Sequence, residues 1–285
     1  MNIIHGYRED KALRDSFNAL AEATFGLNFE GWYQNGFWKE NYDPHSLVLD
    51  GEVVANVSVN RTDLAIGGKR FRILQLGTVM TAEAHRGKGY GRAIMDYIER
   101  EYADVDGIYL FANDGVVDYY PRFGFRPAKE YSYRKAVSLT GEVRAEQVVM
   151  DGPAAWERLA RAMQKSTFRE GCPMVDNPGL IFFYVSQFMQ EAVYYIADLD
   201  AWVIAEPEDG VLMLHNIFAG EEVTIEAVAA AFGDVKAISL GFAPADPEGW
   251  ELEELQEEDT HFFVKGDVFR MFEEQKLRIP SLSHA

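Results

Sequence analysis

Apolar and polar positions along this chain follow two periods, one near 3.6 residues and one near 2. Leu13, Phe17, Leu20, Ala21 and Phe25 recur at helical spacing and predict a helix over 12–25. Residues 2–5 read as a short first strand. Residues 46–49 and 53–59 read as the arms of a hairpin with Asp50-Gly51 at its turn, and 70–80 as a longer strand. Ala93, Ile94, Tyr97 and Ile98 line one face of a helix reaching about residue 102. A strand over 108–112, a short helix over 116–123 and a closing strand over 129–137 complete a first unit.

The order then begins again near Thr140-Gly141. A strand is expected at 146–150, a helix at 156–168, and strands at 192–196, 201–205 and 211–218. A helix at 225–232 and strands at 237–242 and 261–264 follow. The triplets Ala-Thr-Phe at 23–25 and Ser-Thr-Phe at 166–168 fall at similar places in the two series. Regular βαβα alternation is absent, and hairpins precede each crossover helix. The expected class is therefore α+β: two tandem units, each a mixed, mostly antiparallel sheet flanked by helices, divided as 1–138 and 139–285.

Charge separates the two units. Residues 1–135 carry 17 Lys and Arg against 19 Asp and Glu, whereas 136–285 carry 10 against 27, so most of the net charge of -19 lies in the second half. That half would repel phosphates, which argues against a nucleic-acid partner and leaves solubility or a cationic partner. The longest apolar cluster, 180–189, is broken by Ser186 and Gln187 and falls short of the roughly 20 residues a bilayer requires, so no membrane association is expected. Arg8, Glu9 and Asp10 stand where a signal peptide keeps apolar residues. Cys172 is alone, so no disulfide framework or thiolate cluster is expected, and it reads as a buried small residue. Together these point to a cytoplasmic protein. His5, His45, His215 and His261 are not spaced as metal ligands, and no metal is expected.

The segment His85–Ile98, HRGKGYGRAIMDYI, carries the clearest chemistry. Gly87, Gly89 and Gly91 precede an apolar helical face, and Arg86, Lys88 and Arg92 surround them. Free amides at a helix start, aided by the helix dipole, bind anions, and a pyrophosphate would suit them. The spacing is neither a dinucleotide fingerprint nor a Walker A loop. Read without further context, it can also be a tight strand-to-helix turn with solvated bases.

The segment resembles the phosphate motif of the GNAT family, the GCN5-related acyl-CoA-dependent N-acyltransferases, with Arg86, Gly89 and Gly91 at the motif positions. The resemblance covers roughly residues 1–137. It implies that Arg86, Gly87, Lys88, Gly89, Tyr90, Gly91 and Arg92 wrap the pyrophosphate of coenzyme A. It implies further that Met80 and Thr81 lie on a bulged central strand whose amides face the acyl carbonyl. Glu83 stands where the family commonly has proline. The stretch NDGVVDYYPRFGF resembles the second half of the signature, with Val116 where alanine is commoner. It implies that Asn113 helps splay the strands and that Tyr120 protonates the departing thiolate. Without the resemblance, Asn113 reads as a helix cap and Tyr120 as a packed aromatic.

The implied activity is direct transfer of an acetyl group from acetyl-CoA to a primary amine of a small molecule. A non-catalytic acyl-CoA sensor and a protein N-acetyltransferase are the alternatives. The general base stays open among Glu83, His85, Glu22, Glu30 and water. The aromatic run from Phe29 to Tyr42 is expected either to wall an acceptor pocket or to fill core. In the second unit, Gly220, Glu221 and Glu222 replace the glycine-arginine turn and would repel a pyrophosphate, so that unit is expected to be a degenerate copy that shapes the acceptor cleft, supports the fold or forms a homodimer.

Overall fold

The computed structural model describes residues 2–284. In chain order the elements are β1 (Ile3–Ile4), α1 (Lys11–Phe25), α2 (Glu30–Gln34), β2 (Tyr42–Leu49), β3 (Glu52–Arg61), β4 (Leu64–Ile66), β5 (Lys69–Phe71), β6 (Ile73–Thr81), α3 (Tyr90–Glu101), β7 (Gly107–Ala112) and β8 (Arg126–Pro127). There follow β9 (Tyr131–Leu139), β10 (Ala145–Gln147), α4 (Pro153–Lys165), α5 (Pro178–Gln187), β11 (Val193–Ile196), β12 (Ala201–Glu208) and β13 (Val211–Ala219). The chain ends with α6 (Ile225–Ala230), β14 (Val235–Leu240), β15 (Glu251–Glu254), β16 (His261–Lys265) and α7 (Val268–Glu274).

The strands build two sheets of seven, ordered β1-β2-β3-β6-β7-β16-β8 and β10-β11-β12-β13-β14-β9-β15. Both have the same plan. Antiparallel strands lead to one parallel pair, β6 with β7 and β13 with β14, each joined through a helix, α3 or α6. The fold is α+β with two mixed, mostly antiparallel sheets, as the periodicity predicts.

The sheets exchange strands. The segment expected to close the first unit becomes β9 and pairs antiparallel with β14 of the second sheet. The corresponding place in the first sheet, beside β7, is taken by β16 from the far end of the chain. Alternation of period 2 marks a strand but does not name its neighbour, which is why the sequence misplaces this one. The exchange makes a core cluster shared by both halves: Ile73 and Tyr109 from the first half pack in the same cluster as Leu214, Ile238 and Phe272 from the second.

Two other expectations shift locally. The strand expected over 70–80 breaks at Arg72, where carboxylates take main-chain donors: Arg72 N donates to Asp106 Oδ2 at 2.7 Å and Ile73 N to Asp63 Oδ1 at 3.2 Å. The helix expected over 116–123 is two short 3₁₀ turns, Asp114–Val116 and Tyr120–Phe123, with Pro121 opening the second.

The apolar cluster at 180–189 is helical as α5, and it is apolar on all sides because it is buried between two cores. Phe183 stacks on Phe29 at 5.2 Å, and Phe182 stacks on Phe37 at 4.5 Å. Trp32 Nε1 donates to Gly179 O at 2.8 Å. A side chain at Gly179 would meet Phe37 O at 2.6 Å, so only glycine permits the approach.

Glu130, just ahead of β9, is buried and accepts from Ile279 N at 2.8 Å, which fastens the C-terminal segment. Burial pushes its carboxyl up to about 8. The folded state then holds this proton more tightly than the unfolded chain does. Its contribution is most favourable below the ordinary carboxylate range and is lost as pH rises through about 8. Glu130→Gln is expected to flatten the fall in melting temperature between about pH 5 and about pH 8. Equal slopes in parent and variant would assign that fall to other groups.

Candidate active site

The site begins where two parallel strands part. β6 pairs with β3 from Arg61↔Leu74 to Ala55↔Thr81, but with β7 only over Ile73–Gln75. β7 runs on to pair its other edge with β16, so Leu76–Thr81 is left without a strand partner on the side facing β7. A cavity of about 800 Å³ fills the opening.

The exposed edge is bent by a bulge. The β3–β6 register shifts between Asn56 and Ser58, and Thr78 takes a φ of 45°, in the left-handed region. Such a conformation in a branched residue costs on the order of 1–3 kcal/mol and persists only where its surroundings impose it. Here Asn56 Nδ2 donates to Thr78 O at 2.9 Å and to Ser58 Oγ at 3.0 Å. Thr78 Oγ1 donates to Ser58 Oγ at 2.9 Å and accepts from the Tyr42 hydroxyl. Ser46 Oγ donates to Asn56 Oδ1 at 2.8 Å and accepts from Tyr7 at 2.7 Å.

The glycine segment lies against one end of this edge. Gly87 and Gly89 have φ of 76° and 78°, which side chains rarely adopt. Gly89 caps α3 with no side-chain hydrogen bond, so the first amides of the helix are free to face the cavity. Gly91 serves close approach, because a Cβ there would lie 2.9 Å from the Tyr119 hydroxyl. Arg86 and Arg92 are exposed at the same end; Arg86 Nε donates to Thr81 O at 3.3 Å, and Arg92 lies over the Phe123 ring at 5.1 Å. This cradle of free amides, glycines and arginines beside an open strand edge fits a pyrophosphate with an extended arm.

Across the opening, Asn113 Nδ2 donates to Asp259 O at 3.2 Å and to Asp259 Oδ2 at 3.0 Å, so the loop before β16 holds the end of β7. Tyr119 and Tyr120 both line the cavity. Tyr120 is buried against Phe125 and Phe263, and burial pushes its phenol up, so the proton stays on the oxygen. Tyr119 is half-buried, and burial raises its phenol as well.

The far end of the cavity is aromatic and comes from both halves of the chain. Phe25, Phe29 and Tyr42 belong to the first half. Phe183, Tyr184, Phe188 and His284 belong to the second. His284 stacks on Phe111 at 4.0 Å, and burial pushes its imidazole down to about 3, so it is neutral. Nothing in the sequence joins Phe183, Tyr184, Phe188 or His284 to the glycine segment; the run from Leu180 to Met189 signalled burial alone.

Of the residues the sequence singles out, Met80, Thr81, Arg86, Gly87, Gly89, Tyr90, Gly91, Arg92, Asn113 and Tyr120 all line this one cavity. Lys88 does not; its Nζ lies 3.4 Å from His85 Nδ1. Among the candidate bases, His85 lines the cavity and Glu22, Glu30 and Glu83 do not. Glu30 is held by Arg14 at 2.7 Å. The aromatic run divides: Phe29 and Tyr42 reach the cavity, whereas Trp32, Phe37 and Trp38 pack away from it. Cys172 is buried in the shared core. His215 is a satisfied polar residue between Ser281 at 2.9 Å and Glu206 at 2.8 Å. Pairing of β1 with β2 gathers His5, Asp43 and His45, which sequence spacing kept apart, with ligand atoms within 4.8 Å of one another. Their hydrogen bonds are already made: His5 Nδ1 with Asp43 Oδ2 at 3.1 Å, and His45 Nδ1 donating to Asp43 O at 2.9 Å.

Residues 9–128 match the model of the Acetyltransferase (GNAT) domain. No curated protein matches the chain. Among solved structures, a conserved protein of unknown function from Enterococcus faecalis V583, described as a probable N-acyltransferase, is similar at 13% identity and a TM-score of 0.57, over 95% of this chain and 74% of that one. Eis1 from Mycobacterium abscessus is similar at 16% identity and a TM-score of 0.56, over 92% and 73%. A GCN5-related N-acetyltransferase from Kribbella flavida is similar at 18% identity and a TM-score of 0.54, over 93% and 72%. Residues 9–128 thus carry a GNAT domain, and the fold of the chain as a whole is similar to that of these three structures. None of its described helices is long and apolar enough to cross a membrane.

Gly91→Ala tests the glycine turn. Alanine improves helix propensity by about 1 kcal/mol but forces the Tyr119 hydroxyl away from its place. The expected result is a KM for acetyl-CoA raised about tenfold or more with little change in melting temperature. An unchanged KM would mean that Gly91 is not required for close approach.

Proposed function

We propose that this protein transfers an acetyl group from acetyl-CoA directly to a primary amine of a small molecule, in the cytoplasm. One observation carries the reading: the uncapped start of α3, the bulged edge of β6, Tyr120 and the aromatic end open into a single cavity.

When bound, acetyl-CoA supplies an acyl carbon activated as a thioester. Arg86, Arg92 and the amides at the start of α3 hold its pyrophosphate. The unpaired edge of β6 near Met80 and Thr81 offers main-chain donors to the carbonyl oxygen as charge gathers on it. The amine nitrogen attacks the carbonyl, the C–N bond forms and the C–S bond breaks. The amine gives its proton to solvent, and Tyr120 gives its own to the sulfur. No protein nucleophile is needed, and Cys172 lies outside the cavity lining. The aromatic end, enclosed by buried Phe29, Tyr42 and Phe183, favours a small acceptor over an extended polypeptide.

Tyr120→Phe is expected to lower kcat by about 10²-fold while leaving the KM for acetyl-CoA within about twofold, read as acetyl-CoA-dependent thiol release. If Tyr120→Phe keeps full kcat and Tyr119→Phe loses it, the proton donor is Tyr119.

A further inference from the structure

The cavity has two chemically opposite ends. Its charged described side chains, Arg86, Arg92 and Arg122, all lie at the phosphate end, as does His85. Among the described residues, no Asp or Glu lines any part of it, although the chain holds 46 of them. The second half carries most of that acidic charge, yet it gives the cavity Phe183, Tyr184, Phe188 and a neutral imidazole.

A second observation lies at the rim. The exposed large apolar side chains of the described chain include two phenylalanines, Phe25 at 43% and Phe188 at 60%, and both border this cavity. Exposed Val116, at 41%, borders it too. Bare rings at a cavity mouth mark a surface that meets an apolar ligand.

We infer that the acceptor is an apolar monoamine, one amino group on an arylalkyl body, and this rests on the acyl-transfer reading above. Phe25 and Phe188 meet its ring at the mouth, and Phe29, Tyr42 and Phe183 surround it inside. A polyamine or amino sugar would bring several ammonium groups or hydroxyls into this space and lose their hydration without a counter-charge. A single amine loses its proton more readily in the same surroundings, because burial in apolar space disfavours the ammonium form. The aromatic end thus helps to generate the neutral nucleophile.

The test compares phenethylamine, spermine and glucosamine as acceptors in acetyl-CoA-dependent thiol release, with calorimetric binding of phenethylamine to the protein–CoA complex alongside. Phenethylamine is expected to exceed both others in kcat/KM by more than about tenfold. Phe188→Ala and Phe25→Ala, both surface changes, are expected to raise the KM for phenethylamine about 3–10-fold and to leave the KM for acetyl-CoA unchanged. Preference for spermine or glucosamine, or ring variants without effect, would overturn the acceptor class and leave acyl transfer standing. Phenethylamine that binds the CoA complex through Phe25 and Phe188 but releases no thiol would support the apolar amine site and sink the acyl-transfer reading. Neither binding nor release would remove both.

Discussion

The architecture of this site depends on one strained residue. Thr78 holds a left-handed φ in the middle of a sheet, and the bulge it creates turns the edge of β6 toward the opening beside β7. Asn56, Ser58 and Tyr42 hold it directly, Ser46 holds Asn56, and Tyr7 holds Ser46. Leaving any one of these buried groups without its partner costs about 1–3 kcal/mol, comparable with the strain itself. The polar residues inside β2 and β3 are therefore the means by which an unfavourable backbone is kept in place. The separation of β6 from β7 beyond Gln75 supplies the space, and the bulge supplies the direction.

The second half of the chain is built into this arrangement. β16 occupies the far edge of β7, and Asp259, just before β16, fixes Asn113 at the mouth. In return β9 leaves the first half to complete the other sheet. α5 reaches back beneath the aromatic run and brings Phe183 and Tyr184 to the cavity. The second sheet repeats the plan of the first, but its crossover turn carries Glu221 and Glu222 where the first has glycines and arginines. The first copy carries glycines and arginines at an uncapped helix start, and the second half lends aromatic side chains to the cavity wall.

The two ends of the cavity divide the work by polarity. Free amides and arginines at the start of α3 suit a multiply charged group that remains partly in water. The aromatic end suits groups that give up water. Tyr120 lies between them, buried enough to keep its proton at working pH. The proposed transfer would use this gradient, with its donor held through charge and its bond-making step where solvent is excluded.

The sequence by itself determined what depends on neighbours along the chain. Periodicity placed α1, β2, β3, α3 and β7 within a few residues, because helix and strand faces are written in local spacing. The glycine turn was legible for the same reason: Gly87 and Gly89 answer to their own dihedral angles, and the apolar face after them announces the helix. Whether Phe29 and Tyr42 would line a cavity while Trp32, Phe37 and Trp38 pack away from it could not be read, because an aromatic side chain is apolar in either place. The same limit hid the destination of β9, the arrival of β16 beside β7, and the presence of Phe183 and His284 in a cavity begun more than a hundred residues earlier. Local chemistry decides which elements form and where an anion can bind; which strand takes the vacant edge, and hence what lines the far end of the cavity, is decided by how two similar sheets bury each other's apolar surface.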